Sequence, residues 1–176
     1  IQSIDFEYTR LVELQIKMVC MLSNKNEAYF RKSMKTLIQR FHTEKNKIDH
    51  EKLNAITKYL CKSIKPERVF MEFATIFQNM TDLHFVQDMI EALTFSIAST
   101  PDYKALRGKL FGAVRTDFAK DSLDLFLHLY NSWCINPIHT LTLCLLSQKY
   151  ELAYNLISRF TEELDSKRLI QLGTLV

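Results

Sequence analysis

The chain has 176 residues, a mass of 20.7 kDa and a formal net charge of +3 at pH 7. With 47% hydrophobic and 24% charged residues, it has the composition of a folded protein and not of a disordered one. Only three glycines and three prolines occur, so the turns that β-hairpins need are scarce and a mostly helical protein is predicted. Because no apolar run reaches the roughly 18 residues that cross a bilayer, any membrane association is expected to be peripheral.

Apolar residues recur at helical spacing along the N-terminal half and predict three amphipathic helices. The first apolar stripe runs from Leu11 to Leu22, the second from Tyr29 to Phe41 and the third from Leu53 to Ile64. Short polar segments separate these stripes, so successive helices are expected to be antiparallel neighbours.

Each of the three prolines is expected to open a helix, since proline at the first helical position loses no intrahelical hydrogen bond. Pro66, Pro101 and Pro137 are spaced about 35 residues apart, close to the length of a helical-hairpin repeat. Asp82 and Asn136 are good N-cap residues, and Thr100 before Pro101 repeats the pattern. The predicted fold class is therefore all-α, a HEAT-like α-solenoid of antiparallel helix pairs; a closed helical bundle is the alternative.

The predicted organisation is a single helical-repeat domain over residues 1–176. Because the apolar pattern is already under way at Ile1 and continues to Val176, we expect the chain to be a fragment of a longer scaffold. The approximate helix pairs are residues 26–64, 66–99 and 101–133, followed by C-terminal helices over residues 137–176.

Two segments near the C-terminus, Leu123–Trp133 and Leu141–Leu146, are apolar on most sides of a helix. A helix of this kind is covered by neighbours all round. Three alternatives can cover these two helices: a thickened core of this chain, a second chain, or a segment outside this chain. The helix that follows is amphipathic again, with Leu152, Ala153, Leu156, Ile157 and Phe160 on one side.

The cysteines and histidines near Pro137 do not form a chemical site by their spacing. Cys134 and His139 fall in different helices because Asn136 and Pro137 start a new one, and Cys144 adds no paired metal-ligand spacing. The sequence therefore predicts no catalytic residue, no metal and no cofactor. All four cysteines lie within apolar runs, which predicts buried, reduced thiols in a cytosolic protein: Cys20, Cys61, Cys134 and Cys144.

Basic residues are concentrated in the N-terminal half, where residues 24–68 hold twelve Lys and Arg against five Asp and Glu. This segment is either a solvated helix face or a contact for an acidic partner or an anionic membrane. A helical-repeat nucleic-acid binder that uses this half is an alternative function, although the net charge is small for one. The candidate contact patch is Lys25, Arg31, Lys32, Lys35 and Arg40.

The most specific pattern in the chain lies at residues 129–157, LYNSWCINPIHTLTLCLLSQKYELAYNLI. Together with PERV at residues 66–69 and LRGKL at residues 106–110, it resembles the C-terminal domain of the Vac-fourteen vacuolar scaffold family. The resemblance covers residues 26–160. Departures from the family pattern are Ile135, where the family usually carries histidine, and the tail from Thr161 onward.

This resemblance implies a scaffold without catalytic activity that holds two enzymes of opposite action together. One is a phosphatidylinositol 3-phosphate 5-kinase, and the other is a Sac-domain phosphoinositide phosphatase. It also implies regulation of phosphatidylinositol 3,5-bisphosphate turnover, self-association of the scaffold, and a peripheral location on the cytoplasmic face of vacuolar or endolysosomal membranes. A generic HEAT or armadillo adaptor of membrane trafficking is the alternative.

Aromatic side chains near the C-terminus are candidates for a protein interface, because aromatic residues are the usual anchors of such surfaces. We expect the candidates to lie at an interface or directly beneath it. Internal packing between consecutive helices is the alternative for Trp133 and Tyr154. The candidate set is Tyr130, Trp133, Asn136, Tyr150 and Tyr154.

Overall fold

All elements in the described part of the chain are helices, and contacts divide the chain into two compact units, Ile1–Thr81 and Asp82–Val176. None of the helices in this part is long and apolar enough to cross a membrane. The computed structural model describes residues 17–18, 21–22, 26–43, 50–112 and 119–160, with the backbone alone at residues 119, 120 and 160.

Three helices form the described core of the first unit: α1 (Glu27–Thr43), α2 (His50–Ser63) and α3 (Pro66–Phe77). Both α1 and α2 pack against α3. As predicted, the second and third apolar stripes supply buried side chains of α1 and α2, although Tyr29 is only half-buried. In the first stripe, Met18 and Leu22 are exposed, and its other members lie outside the described residues. The largest buried side chains are Phe30, Met34, Ile38, Leu53, Phe70, Phe73 and Phe77.

The second unit contains five described α-helices, and α7 lies in contact with α4, α5, α6 and α8. Helix α4 also packs against α5, and α5 packs against α6. Its elements are α4 (Leu83–Ser99), a 3₁₀ turn (Pro101–Tyr103), α5 (Lys104–Gly112), α6 (Ala119–Trp133), α7 (Pro137–Leu146) and α8 (Tyr150–Phe160).

The predicted helix starts are confirmed at two of the three caps. The Asp82 carboxylate accepts a hydrogen bond from the backbone N–H of Phe85 at 3.1 Å, and Asn136 caps α7. Thr100 differs, because its hydroxyl makes no capping bond to the short 3₁₀ turn that Pro101 opens. Its carbonyl instead accepts a hydrogen bond from the Arg107 guanidinium, at 2.8 Å.

The predicted fold class is confirmed: helices in series pack against helices nearby in sequence, as in an all-α solenoid. The low glycine and proline content indicated this outcome, since the chain lacks the turn residues of an antiparallel sheet. The division into helix pairs within a single domain stays a prediction.

Candidate protein interface

Trp133 is part of the interior of the second unit. Its side chain is fully buried, and its indole Nε1 donates a hydrogen bond to Thr94 Oγ1 at 2.8 Å. The Thr94 hydroxyl in turn donates to the carbonyl oxygen of Ile90 at 2.7 Å. This polar chain satisfies an N–H that would otherwise be buried without a partner. It joins the end of α6 to the middle of α4.

A three-residue connection between α6 and α7 is held by side chains on both sides. Asn136 Oδ1 accepts from the backbone N–H groups of Ile138 and His139, at 3.1 and 3.4 Å. Thr140 Oγ1 lies 2.7 Å from the carbonyl oxygen of Trp133 and 2.8 Å from that of Asn136. The backbone of this connection is therefore fixed from within.

Helix α4 holds the same connection from outside. Gln87 Nε2 donates to the carbonyl oxygen of Ile135 at 3.3 Å. One turn later on α4, Glu91 Oε2 lies 4.0 Å from His139 Nε2. Burial lowers the pKa of His139, and the Glu91 carboxylate opposes part of that shift. The imidazole is accordingly neutral at pH 7.

Tyr130 is half-buried on α6, and its ring centroid lies 5.5 Å from that of Phe126. The Lys149 ammonium, at the start of α8, lies 5.9 Å from the Phe126 centroid. Burial raises the pKa of the Tyr130 phenol, and the neighbouring thiols of Cys134 and Cys144 add to that shift. The phenol is thus a neutral hydrogen-bonding group at the edge of the packed helices.

The cysteines near the junction are not activated thiols. Partial desolvation raises the pKa of the Cys134 thiol, and burial raises that of Cys144 to about 11, so both stay protonated at neutral pH. Cys134 Sγ also donates to the carbonyl oxygen of Tyr130 at 2.9 Å. The prediction that all cysteines are buried is wrong for Cys134, which is exposed at the end of α6, and Cys61 is only half-buried. Cys20 lies outside the described residues.

Three side chains of α8 form an exposed row that we name the α8 stripe: Tyr150, Tyr154 and Ile157. Their exposed fractions are 59%, 70% and 44%, and the i, i+4, i+7 spacing places them along one face. The expectation that Ile157 joins the covered side is wrong, because α8 turns Ala153 toward the interior. Of the predicted interface residues, Tyr150 and Tyr154 are therefore accessible to a partner.

Helix α6 was expected to be covered by the core, by a second chain or by a segment outside this chain, and the described residues cover only one of its sides. Leu123 and Leu127 are exposed on α6, whereas Leu125 and Leu129 are buried, so α6 has one covered and one open side. Most of α7 is buried, and Leu145 is its exposed large apolar side chain. The second unit therefore presents apolar side chains to solvent on three consecutive helices.

The turn between α7 and α8 is closed by a residue in the left-handed region. Gln148 has a φ of 53°, and its N–H donates to the carbonyl oxygen of Leu145 at 3.1 Å, while that of Lys149 donates to Cys144 at 2.9 Å. These two bonds are those of a Schellman motif, whose left-handed position glycine usually fills. Here they direct the chain from α7 into the start of α8.

The predicted basic patch lies on α1 in the first unit. Lys32 and Lys35 are exposed and Arg40 is half-buried, whereas Lys25 lies outside the described residues. Arg31 is paired with acidic groups, since its Nε lies 3.3 Å from a Glu27 carboxylate oxygen and 3.9 Å from Glu72. The positive character of the patch is correspondingly weaker than the sequence indicates.

Glu27 also pairs with Arg68 of α3, whose guanidinium carbon lies 4.2 Å from the centroid of the Phe30 ring. One arginine thus stacks on a phenylalanine and binds a carboxylate of the preceding helical turn. The nearby Glu72 carboxyl has its pKa raised by burial, an effect that Arg31 and Arg68 oppose.

Sequence reasoning missed Phe95, which is 68% exposed in the middle of α4. A signal was available: the buried face of α4 includes Phe85, Met89 and Leu93, and Phe95 does not fall on that face.

Among the described residues, no group of three or more His, Cys, Asp and Glu side chains could hold a metal ion.

The family described as vacuolar protein 14 C-terminal Fig4p binding matches residues 46–176, which is more than half of the chain. The chain belongs to this family. The matched range contains the α6–α7 junction and the α8 stripe, whereas Lys25 to Arg40 precede it. The Vac-fourteen resemblance is thereby confirmed.

Curated relatives in three organisms agree with this family. Vacuole morphology and inheritance protein 14 of Saccharomyces cerevisiae is 31% identical over 168 residues, which are 94% of this chain and 18% of the relative. The VAC14 homolog of Schizosaccharomyces pombe is 38% identical over 81% of this chain and 17% of the relative. The VAC14 homolog of Arabidopsis thaliana is 31% identical over 86% of this chain and 20% of the relative.

The chain therefore spans a fifth or less of the length of these relatives. No solved structure matches it.

Proposed function

We propose that this chain is the phosphatase-binding part of a scaffold without catalytic activity, and that its partner is a Sac-domain phosphoinositide phosphatase. The observation that carries the proposal is the match of residues 46–176 to a family described by Fig4p binding. The thiols of Cys134 and Cys144 have raised pKa values, which agrees with a binding role and not with nucleophilic catalysis.

The contact surface in this proposal is the α8 stripe. Tyr150 and Tyr154 are large, amphipathic and exposed, and such side chains supply most of the binding energy where an interface excludes water. The other three candidates hold helices of the same unit in place: Trp133 by its bond to Thr94, Asn136 by its cap, and Tyr130 by its contact with Phe126.

The experiment is co-expression of the chain with the Sac-domain phosphatase, followed by native mass spectrometry of the purified product. We expect a stable complex, and we expect Tyr150→Ala and Tyr154→Ala each to weaken it by about 2 kcal/mol, as for anchor residues of an interface. Phe111→Ala is the matched control, because Phe111 is also an exposed aromatic residue of this unit but lies outside the α8 stripe.

Thermal unfolding of the same variants separates binding from folding. Exposed side chains contribute little to folding, so Tyr150→Ala should keep the melting temperature of the parent chain while losing the phosphatase. A clear fall in that temperature would assign Tyr150 to internal packing, and a complete lack of association by the parent chain would overturn the proposal.

The wider role of the scaffold, in this proposal, is to hold the phosphatase beside a phosphatidylinositol 3-phosphate 5-kinase on the cytoplasmic face of vacuolar or endolysosomal membranes. Copies of the scaffold associate with one another, which raises the effective concentration of one enzyme near the other. Synthesis and turnover of phosphatidylinositol 3,5-bisphosphate are thereby controlled at one place.

A second, weaker contact is proposed for α1, whose Lys32 and Lys35 are exposed. A lysine near an anionic membrane surface contributes about 1 kcal/mol, so this pair would assist peripheral association without anchoring the chain. Sedimentation with phosphatidylserine vesicles tests this contact. The chain should bind the vesicles in a salt-sensitive manner, and the double variant Lys32→Glu with Lys35→Glu should abolish that binding. Unchanged binding by the double variant would contradict a membrane contact at α1.

A further inference from the structure

Helix α4 has a row of exposed side chains, which we name the α4 stripe; Leu83 and Ala98 are exposed on the same helix outside this row. The buried side of the helix includes Phe85, Val86, Met89, Leu93 and Ile97. The exposed row follows the helical spacing i, i+4, i+7, i+11 and i+15, and Phe95 within it is 68% exposed. The α4 stripe consists of His84, Asp88, Glu91, Phe95 and Ser99.

The charge of this surface is opposite to that of the whole chain. The chain has a net charge of +3, but neither α4 nor α7, which packs against it, contains a lysine or an arginine. Asp88 and Glu91 are both exposed on the stripe. The titratable group that α7 adds is His139, 4.0 Å from Glu91. Asp88 and Glu91 therefore favour a partner that brings positive charge.

Glu91 and Phe95 are four residues apart, so their side chains are neighbours on the helix surface. A guanidinium can lie flat on an aromatic ring while its N–H groups bind a carboxylate beside it. The first unit contains this arrangement in complete form, with Arg68 over Phe30 at 4.2 Å and also bound to Glu27. On α4 the carboxylate and the ring are present, and neither α4 nor α7 contains an arginine. Arg107 of α5 reaches the end of α4, where its guanidinium donates to the carbonyl oxygens of Ile97 and Thr100.

We propose that the α4 stripe binds an arginine-bearing segment of another protein, with one guanidinium stacked on Phe95 and paired with Glu91. A second basic side chain of that segment lies against Asp88, one turn earlier. The surface is separate from the α8 stripe, and the proposal does not depend on the phosphatase.

The probe is a fluorescein-labelled helical peptide with arginines at positions i, i+4 and i+7, and its binding to the 176-residue chain is followed by fluorescence anisotropy. We expect the affinity to fall with added salt. Removing the ring by Phe95→Ala should weaken binding about fivefold, the size of a partly desolvated cation–π contact. Glu91→Gln should weaken it to a similar extent.

Two controls separate the stripe from general attraction between charges. Phe111→Ala and Glu151→Gln remove an exposed ring and an exposed carboxylate elsewhere in the same unit, and both should leave the affinity unchanged. A peptide with lysine in place of arginine should bind more weakly, because an ammonium cannot stack and pair through a planar fork.

Three results would overturn the proposal. The first is that the arginine peptide does not bind in a way that depends on Phe95, either because Phe95→Ala leaves its affinity unchanged or because the parent chain does not bind it. The second is equal binding of a peptide with glutamine in place of arginine. The third is a chain that dimerises through this face, shown by sedimentation velocity of the parent and Phe95→Ala chains, which would make the occupant a second copy. Circular dichroism of each variant confirms that it is folded.

Discussion

The indole N–H of Trp133 and the hydroxyl of Thr94 form a buried hydrogen bond of 2.8 Å between α6 and α4. Thirty-nine residues separate the two in sequence. Thr94 therefore acts as acceptor for one helix and as donor within its own, through its bond to the Ile90 carbonyl.

Thr94→Val should destabilise the chain by about 1 to 3 kcal/mol, because it leaves the Trp133 N–H buried without an acceptor. The matched control is Thr142→Val: Thr142 is also buried, but its hydroxyl donates only within α7, to Ile138. Urea denaturation should show a smaller loss for the control. Equal losses of unfolding free energy in the two variants would mean that the hydrogen bond between Trp133 and Thr94 adds nothing to stability.

Gln148→Gly should stabilise the chain by about 0.5 to 1 kcal/mol. Glycine removes the steric cost of the left-handed backbone, which exceeds the extra entropy that it gives to the unfolded chain. The control is Asn155→Gly in the exposed interior of α8, where the same new residue should destabilise by about 1 kcal/mol. Thermal unfolding measures both, and a destabilised Gln148→Gly variant would contradict the prediction.

Cys144 should resist alkylation in the folded chain. With a pKa of about 11, roughly a thousandth of this thiol is thiolate at pH 8, and only the thiolate reacts. Cys134 is exposed and should react faster. Iodoacetamide labelling followed by peptide mass spectrometry gives both rates, and addition of urea should equalise them. Faster labelling of Cys144 in the absence of urea would contradict the expected order.

The stability of the chain should fall as the pH falls through about 6.5, in part because of His139. Burial lowers the pKa of this imidazole in the folded state, so the unfolded chain takes up the proton first. His139→Gln should reduce the difference in unfolding free energy between pH 7.5 and pH 5.5. Glu91→Gln should enlarge it, because the carboxylate opposes the lowering of that pKa. Urea denaturation of the parent chain and of both variants at pH 7.5 and pH 5.5 tests these two expectations.

The helix starts could be predicted because they depend on a few adjacent residues. Asp82 and Asn136 cap the helices that follow them, and Pro66 and Pro137 occupy first turns where the missing N–H has no cost. The buried side chains of α4, such as Phe85, Met89 and Leu93, also recur in the sequence with the period of a helix.

The exposed surfaces were harder to predict, because composition says that a segment is apolar but not which of its sides another helix will cover. Leu127 is exposed and Leu125 is buried, although the two lie in one apolar run. The left-handed position at Gln148 was also hidden, since it arises from the tight turn between α7 and α8 and carries no glycine to mark it.

Thr140 has a consequence for how force passes through the second unit. Its hydroxyl reaches the last carbonyl of α6 and the capping carbonyl of α7, and a hinge in that connection would have to break these contacts first. Helices α6 and α7 should therefore move together as one rigid unit. A load applied to one of them would be delivered to the other at a fixed angle.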